Sequence, residues 1–354
     1  MSVERFLLFC SFLGVLPVHP QVAFDPSSVR QLYSGGSGFY SYAPSIIERD
    51  GKEYIFTCHN HDPYLIRDDI FLTVEFQGRM IEDRSVISHS LFGWDSFHNC
   101  DPSVLETSIT FNKTHYGWVM FYLGNDVDRS ARNQIGIALA ENIEGPWVKL
   151  AQPIIPYSDG DSWGVGQPTA LPIGQSGKFL LIYSEHSHGY AGLRETTVDL
   201  HDLNHIAIDM PKVVSSSTKR GDTTVPINNI DMALDPSGQF VYAIADESPY
   251  PKTNPHYITD RLALVRMEWN SLLDGTGTWH LEAEITPPLT RLARNHNAGI
   301  VRTPQGTILP GKNLTVVFAS SCADEGAKHC DERPEWTYTL WQISAKSQNA
   351  PVNK

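Results

Sequence analysis

Basic residues are scarce: 27 Lys and Arg stand against 40 Asp and Glu, a formal charge of −13, and no basic stripe or cluster appears. That balance argues against nucleic acid and anionic membrane as partners, since both require a positive surface. After the first 21 residues no run is apolar enough to cross a bilayer. No long segment repeats apolar residues every 3.6 positions, which leaves an all-β reading without a helical competitor. A phosphate cradle is not expected, because "YSGGSGF" (33–39) has the glycines but no following helix or Lys. His59 and His61 in "TCHNHD" stand two apart, yet no spacing here matches a zinc signature, so no metal is assigned.

Cysteines are few as well. The opening "MSVERFLLFCSFLGVLPVHPQ" has Arg5 ahead of an apolar run from Phe6 to Leu16, too short for a membrane span and suited to a signal-peptide core. A leader over residues 1–21 is therefore expected, with 22–354 as one extracellular domain; the alternative is a buried N-terminal strand. Removal of Cys10 leaves Cys58, Cys100, Cys322 and Cys330, an even number that suits an oxidising compartment. Cys322 and Cys330 flank the short "ADEGAKH", which implies Cys58 with Cys100 as the second pair. Sequons at Asn112 and Asn313 fit glycosylation of an exported chain.

Turn material is abundant, with 26 Gly and 23 Pro. Five stretches share one grammar: an alternating strand, a polar turn, then an aromatic-rich strand. They start "YAPSII" at Tyr42, "CDPSVL" at Cys100, "GQPTAL" at Gly166, "IDMALD" at Ile230 and "HNAGIV" at His296. The aligned positions are Ala43, Asp101, Gln167, Asp231 and Asn297, separated by 58, 66, 64 and 66 residues. A further strand follows each pair. Three or four short strands per repeat predict an all-β, five-bladed β-propeller rather than a two-sheet sandwich. The first strand of each blade lines the central channel, so the five aligned side chains converge on one axial pocket. A proline after Asp101 needs no ladder N–H and leaves the carboxylate aimed at the channel mouth.

Two carboxylates at that level, Asp101 and Asp231, are the minimum equipment for cleaving a glycosidic bond, one protonated and one ionised. Rim loops add Glu185, His186, Glu247, Arg294 and His296, while Gln167, Asn297, His59 and His61 supply polar contacts for a glycan. Trp94 and Trp163, in Gly- and Asp-rich loops, are the candidate stacking platforms for sugar faces. No cofactor is expected, with a structural cation in the central channel left open.

The "DPS", "APS" and "QPT" starts, followed by "GKEYIFTC" and "GKFLLIYSE", resemble the five-bladed glycoside hydrolases of family 43 and its relatives over roughly residues 30 to 344. The resemblance implies a secreted or periplasmic enzyme acting on arabinose-, xylose- or similar furanose- and pyranose-containing glycans with an Asp base, a second Asp that tunes pKa and a Glu acid, usually with inversion. The chain departs at the base position of the first blade, Ala43, and carries Asp231 where the family has its acid. Counted from the second blade, Asp101 matches the base and Asp231 the tuning Asp. The acid slot then falls at Asn297, leaving Glu185 or Glu247 to supply the proton. Two other classes remain: a propeller polysaccharide lyase using His, Tyr and Arg, and a sugar-binding propeller without chemistry.

Overall fold

A computed structural model of the chain describes residues 22–33, 40–60, 62, 64–158, 160–252, 258–321 and 337–346; the expected leader, His61, Cys322 and Cys330 lie outside the described residues. Strands dominate, and among the described residues the three helical segments have only three to five residues each. Blade 1 comprises Tyr40–Arg49, Lys52–Asn60, Asp69–Phe76 and Arg79–Ile87, and blade 2 comprises His98–Phe111, Thr114–Asn125, Gln134–Ala140 and Val148–Lys149. Blade 3 is built on Gly164–Pro172, Lys178–Ser187 and Tyr190–Asp199, and blade 4 on Thr223–Leu234, Phe240–Glu247, Leu262–Glu268 and Trp279–Ile285. In blade 5, His296–Arg302, Thr315–Ser320 and Thr339–Ser344 are completed by the N-terminal strand Arg30–Tyr33, which pairs antiparallel with Thr339–Ser344. The first strand of each blade adjoins that of the next, and blade 5 returns to blade 1, so the ring closes with five members.

Local sequence explains the hairpins. Asp50–Gly51, Gln77–Gly78, Asn112–Lys113 and His188–Gly189 are two-residue connections with positive φ at both positions, the turn geometry that matches strand twist. Packing follows from the pleat. Along each first strand two consecutive apolar residues point to opposite faces and so enter two different inter-blade cores. Ile46 packs towards blade 5 and Ile47 towards blade 2; Val104 and Leu105, Ala170 and Leu171, Met232 and Ala233, and Ile300 and Val301 divide in the same way. A blade buried on both faces reads as a continuous apolar run, which is why "VMFYL", "FLLIY" and "TVVFA" lack alternation. Each such side chain contributes about 1.5–3 kcal/mol by leaving water.

A second repeat, hidden from sequence inspection, seams the blades. The side chain of Ser45 accepts the Val104 N–H (3.1 Å), Ser103 that of Ala170 (3.1 Å), Thr169 that of Met232 (3.0 Å) and Asp231 that of Ile300 (2.9 Å). At the fifth seam the equivalent residue is Gly299, and blades 5 and 1 instead pair directly as parallel strands at Ile46–Val301 and Ile47–Arg302. A Cβ on Gly299 would stand 2.1 Å from the Pro44 carbonyl oxygen, a backbone atom without a rotamer to escape through. Gly299→Ala is accordingly expected to destabilise the chain by about 1–3 kcal/mol. A urea midpoint equal to that of the parent would contradict the close approach.

Candidate active site

Each first strand carries a bulge at the same height, where the register to the second strand slips by residues 43–44, 101–102, 167–168, 229–230 and 297–298. The first residue of every bulge is left-handed: Ala43 (φ 48°), Asp101 (47°), Gln167 (52°), Asn229 (47°) and Asn297 (43°). A non-glycine residue in this region is strained by the order of 1–2 kcal/mol. Its repetition in all five blades marks a device for re-aiming side chains. The five bulges line a narrow axial hollow of about 40 Å³. The expected convergence is therefore present, with one correction: in blade 4 the aimed residue is Asn229, not Asp231. Blade 4 has no proline to mark the bulge, and the alignment slips by two residues.

Above the hollow opens a cavity of about 630 Å³ with Asp101, Gln167, Asn229 and Asn297 at its base. Of the residues expected from sequence, Asp101, Gln167, Asn297, His296, His186 and Trp163 line it. The others do not. Asp231 borders the axial hollow but not the cavity; it is the seam residue of blade 4 and pairs with the buried Arg302 guanidinium at 2.9 Å. Glu185 is held by Arg194 (2.7 Å) and the Ser187 hydroxyl (2.6 Å) on the sheet of blade 3. Glu247 is buried against Arg220, which also binds Glu284. Burial pushes Glu247 up to about 7, opposed by Arg220 and reinforced by Glu284, but this acid faces an inter-strand pair rather than the cavity. His59 stacks on Phe71 at 4.0 Å. Trp94 wedges over Gly124 and Gly136, where any Cβ would collide with its ring, and packs on Tyr122 at 5.4 Å, so it is a half-buried ring set against the core between blades 1 and 2 rather than a cavity platform. Arg294 is buried beside its own chain, its Nη1 donating to the Ala293 carbonyl, and burial lowers its pKa.

Sequence reasoning missed Asp128 on the cavity wall and a further cavity carboxylate, Asp68. It accepts hydrogen bonds from the hydroxyls of Tyr40 (2.6 Å) and Tyr42 (3.1 Å). The Asp68 N–H donates to His98 Nδ1 (3.1 Å), so in neutral His98 the proton sits on Nε2. Asp246 was also passed over in favour of Glu247, although strand pleating sends these neighbours to opposite sides. Asp246 lies fully buried behind the lining. It accepts from Asn229 Nδ2 (2.6 Å) and the Asn297 N–H (2.9 Å), and its other contact is His296 Nδ1 at 2.6 Å. Aromatic rings complete the walls: Tyr338 stacks between Tyr42 (4.8 Å) and His296 (6.0 Å), and Trp163 packs on His186 at 5.2 Å.

Asp101 sits on a sulfur floor. Cys58, from the second strand of blade 1, and Cys100, beside Asp101 in blade 2, form a disulfide, as the cysteine count implies. The Asp101 N–H points at Cys58 Sγ (2.9 Å), and one carboxyl oxygen lies 3.6 Å from Cys100 Sγ and 3.8 Å from Cys58 Sγ. The carboxyl borders the cavity and the axial hollow and is otherwise enclosed by protein. That enclosure, with Asp68 and more weakly Asp246 nearby, pushes it up to about 7, against the pull of His296 and the Gln167 N–H. Among the described residues the one compact cluster of metal-ligand types is Cys58, Cys100 and Asp101. Its sulfurs are already bonded to each other and offer no thiolate, so this donor set does not fit a metal.

No protein-family model matches the chain, and no curated protein matches it in sequence. Solved structures do. An α-L-arabinofuranosidase from Podospora anserina in complex with cellotriose superposes with a TM-score of 0.59 at 11% identity, covering 92% of this chain and 97% of that one. A GH43_1 enzyme from Xanthomonas citri complexed with xylose gives 0.57 at 14% identity, covering 90% and 91%. A family 117 glycoside hydrolase of the marine bacterium Zobellia galactanivorans gives 0.57 at 12%, covering 91% and 90%. At such identities the likeness concerns architecture: the chain has the β-propeller fold of these glycoside hydrolases.

Proposed function

We propose that the cavity hydrolyses glycosidic bonds, with Asp101 as general acid and Asp68 as the partner carboxylate. One observation carries this reading: Asp101 and Asp68 line the same cavity, and enclosure holds the Asp101 proton on near neutrality while two tyrosine hydroxyls donate to Asp68. A carboxyl that keeps its proton at working pH is the donor a leaving sugar oxygen needs. Rings of Trp163, Tyr42 and Tyr338 offer flat apolar surfaces for pyranose or furanose faces. Asn229, Asn297 and Gln167 offer hydroxyl partners from below. The roles thus move from the pairing of Asp101 with Asp231 to that of Asp101 with Asp68.

A second reading rests on Asp246 and His296. A buried carboxylate oxygen lies 2.6 Å from Nδ1 of a cavity-lining His, and a proton held on Nδ1 would leave Nε2 as the acceptor that a lyase needs to remove a proton beside a uronate carboxylate. Asp68 and Asp128 on the same cavity repel a uronate, and we therefore place hydrolysis first. Incubation with plant, fungal and algal glycans decides between them, beginning with the arabinoxylans suggested by the fold neighbours. New reducing ends without ultraviolet-absorbing product are expected. An unsaturated product identifies a lyase, and binding without either product identifies a sugar-binding module.

We also propose that the chain is exported and glycosylated. Asn112, on an exposed hairpin turn, and Asn313 are both accessible acceptors, and the Cys58–Cys100 disulfide suits an oxidising compartment. In a eukaryotic secretory host, treatment with an N-glycosidase is expected to lower the mass of the secreted chain. Material retained in the cell at its unmodified mass would count against export.

A further inference from the structure

We propose that the Cys58–Cys100 disulfide is the positioning element of the Asp101 carboxyl, and that opening it with a dithiol silences the site while the propeller stays folded. The inference rests on the reading of Asp101 as the acid. Its geometric basis is the contact set of the two sulfurs. Besides each other they touch the backbone N–H and carboxyl of Asp101 and the Tyr42 hydroxyl, which lies 3.1 Å from Cys100 Sγ. A disulfide placed only to hold two blades together needs none of these contacts, and the seam between blades 1 and 2 is already closed by Ser45 on the Val104 N–H and by the apolar core around Ile47 and Val104.

Access is one-sided. Cys100 lines the cavity with 4 % of its surface exposed, whereas Cys58 has none. A small dithiol entering the cavity attacks Cys100 Sγ as its thiolate. The Cys58–Cys100 bond breaks and Cys58 leaves as a thiolate. The reagent's second thiol then closes a cyclic disulfide and releases Cys100. Two electrons pass from the dithiol to the protein, and the dithiol's two protons end on the two cysteines. The result replaces an apolar S–S wall by two S–H groups that rotate independently and donate weakly to the carboxyl. The groups that face this carboxyl are Asp68, Asp246, Tyr42 and His296, and none of them belongs to the disulfide, so their influence persists when it opens.

The test compares the full chain with Cys58→Ser/Cys100→Ser and with Cys322→Ser/Cys330→Ser. Carboxyl-¹³C aspartate labelling, with Asp101 assigned through Asp101→Asn, follows its titration without requiring turnover. In Cys58→Ser/Cys100→Ser the midpoint is expected to fall by about one pH unit or more towards the ordinary Asp range. On a glycan that the parent cleaves, turnover falls at least about tenfold and its alkaline limb moves to lower pH. Dithiothreitol on the parent reproduces both changes, and Cys322→Ser/Cys330→Ser shows neither. An unmoved midpoint overturns the proposal even if no glycan is cleaved. A moved midpoint in a chain that cleaves nothing supports the positioning role and rejects the hydrolase reading instead. Cys58→Ala/Cys100→Val keeps the buried volume apolar should the serines not fold; unfolding of both variants, and of the reduced parent, overturns the proposal, because the bond then holds the fold.

Discussion

Asp101→Asn is expected to lower turnover by about 10²–10⁴-fold, the usual worth of a general acid, and at the same time to stabilise the chain in alkaline solution. Both effects come from one cause. The carboxyl sits at about 7 in the folded chain against an ordinary value of 3.8, so between these two values the folded state keeps a proton that the unfolded state has lost. The stability linked to this group is fully present below the unfolded value and is lost as pH rises through about 7. Three pH units of separation correspond to an upper bound of about 4 kcal/mol carried as a penalty by the parent at pH 8. Asn carries no charge at any pH, tolerates the left-handed conformation at this bulge and retains the N–H that points at Cys58 Sγ. Denaturant unfolding at several pH values is therefore expected to show near equality of parent and Asp101→Asn below pH 4, an advantage for the variant that widens between about pH 4 and 7, and a constant difference above that. The kcat/KM of the parent falls about tenfold per pH unit above about 7, as the acid loses its proton. Undiminished turnover in Asp101→Asn would remove the acid from this position, and a pH-independent stability difference would remove the raised pKa.

How far the chain could be read from its sequence depended on where each residue sits in a blade. The bulges were legible in blades 1 to 3 because Pro44, Pro102 and Pro168 follow the aimed residue; in blade 4 Ile230 takes that place and the two-residue slip exchanged Asn229 for Asp231. Blade 5 was aligned correctly without a proline, on the small residue Ala298 that follows Asn297 at its strand start. Seam residues were invisible, since Ser45, Ser103, Thr169 and Asp231 share a position and a bonding role, and Gly299 the position alone, with no common chemistry that stands out in a string. Asp68 and Asp246 belong to a connecting segment and a second strand, where no repeat points at them, and only the parity of the pleat separates Asp246 from Glu247. Trp94 was misplaced because a Gly- and Asp-rich loop looks exposed; the glycines that receive its ring, Gly124 and Gly136, lie far along the chain.

Arg302→Met is expected to destabilise the propeller by about 3–5 kcal/mol, the cost of leaving one member of a buried ion pair alone. From blade 5 this fully buried guanidinium reaches Asp231 and the Met232 carbonyl in blade 4, Ser45 in blade 1 (3.2 Å) and Ser103 in blade 2 (3.4 Å). These partners lie one step further along the first strands than the five bulges, so a single side chain ties four blades together next to the axis. Met fills much of the volume but leaves Asp231 with only the Ile300 N–H (2.9 Å) and the Thr169 hydroxyl (3.1 Å). Removing the charge as well, in Arg302→Met/Asp231→Asn, retains an acceptor for the Ile300 N–H and is expected to recover roughly half of the loss; the shortfall from additivity measures the coupling. The same placement addresses the cation that the channel left open. A guanidinium beside Asp231 supplies positive charge at the one carboxylate of this level, so exhaustive chelation is expected to leave the urea midpoint of the parent unchanged. A midpoint lowered by chelator and restored by a divalent ion, or an Arg302→Met chain as stable as the parent, would show that something other than this side chain binds the blades at their centre.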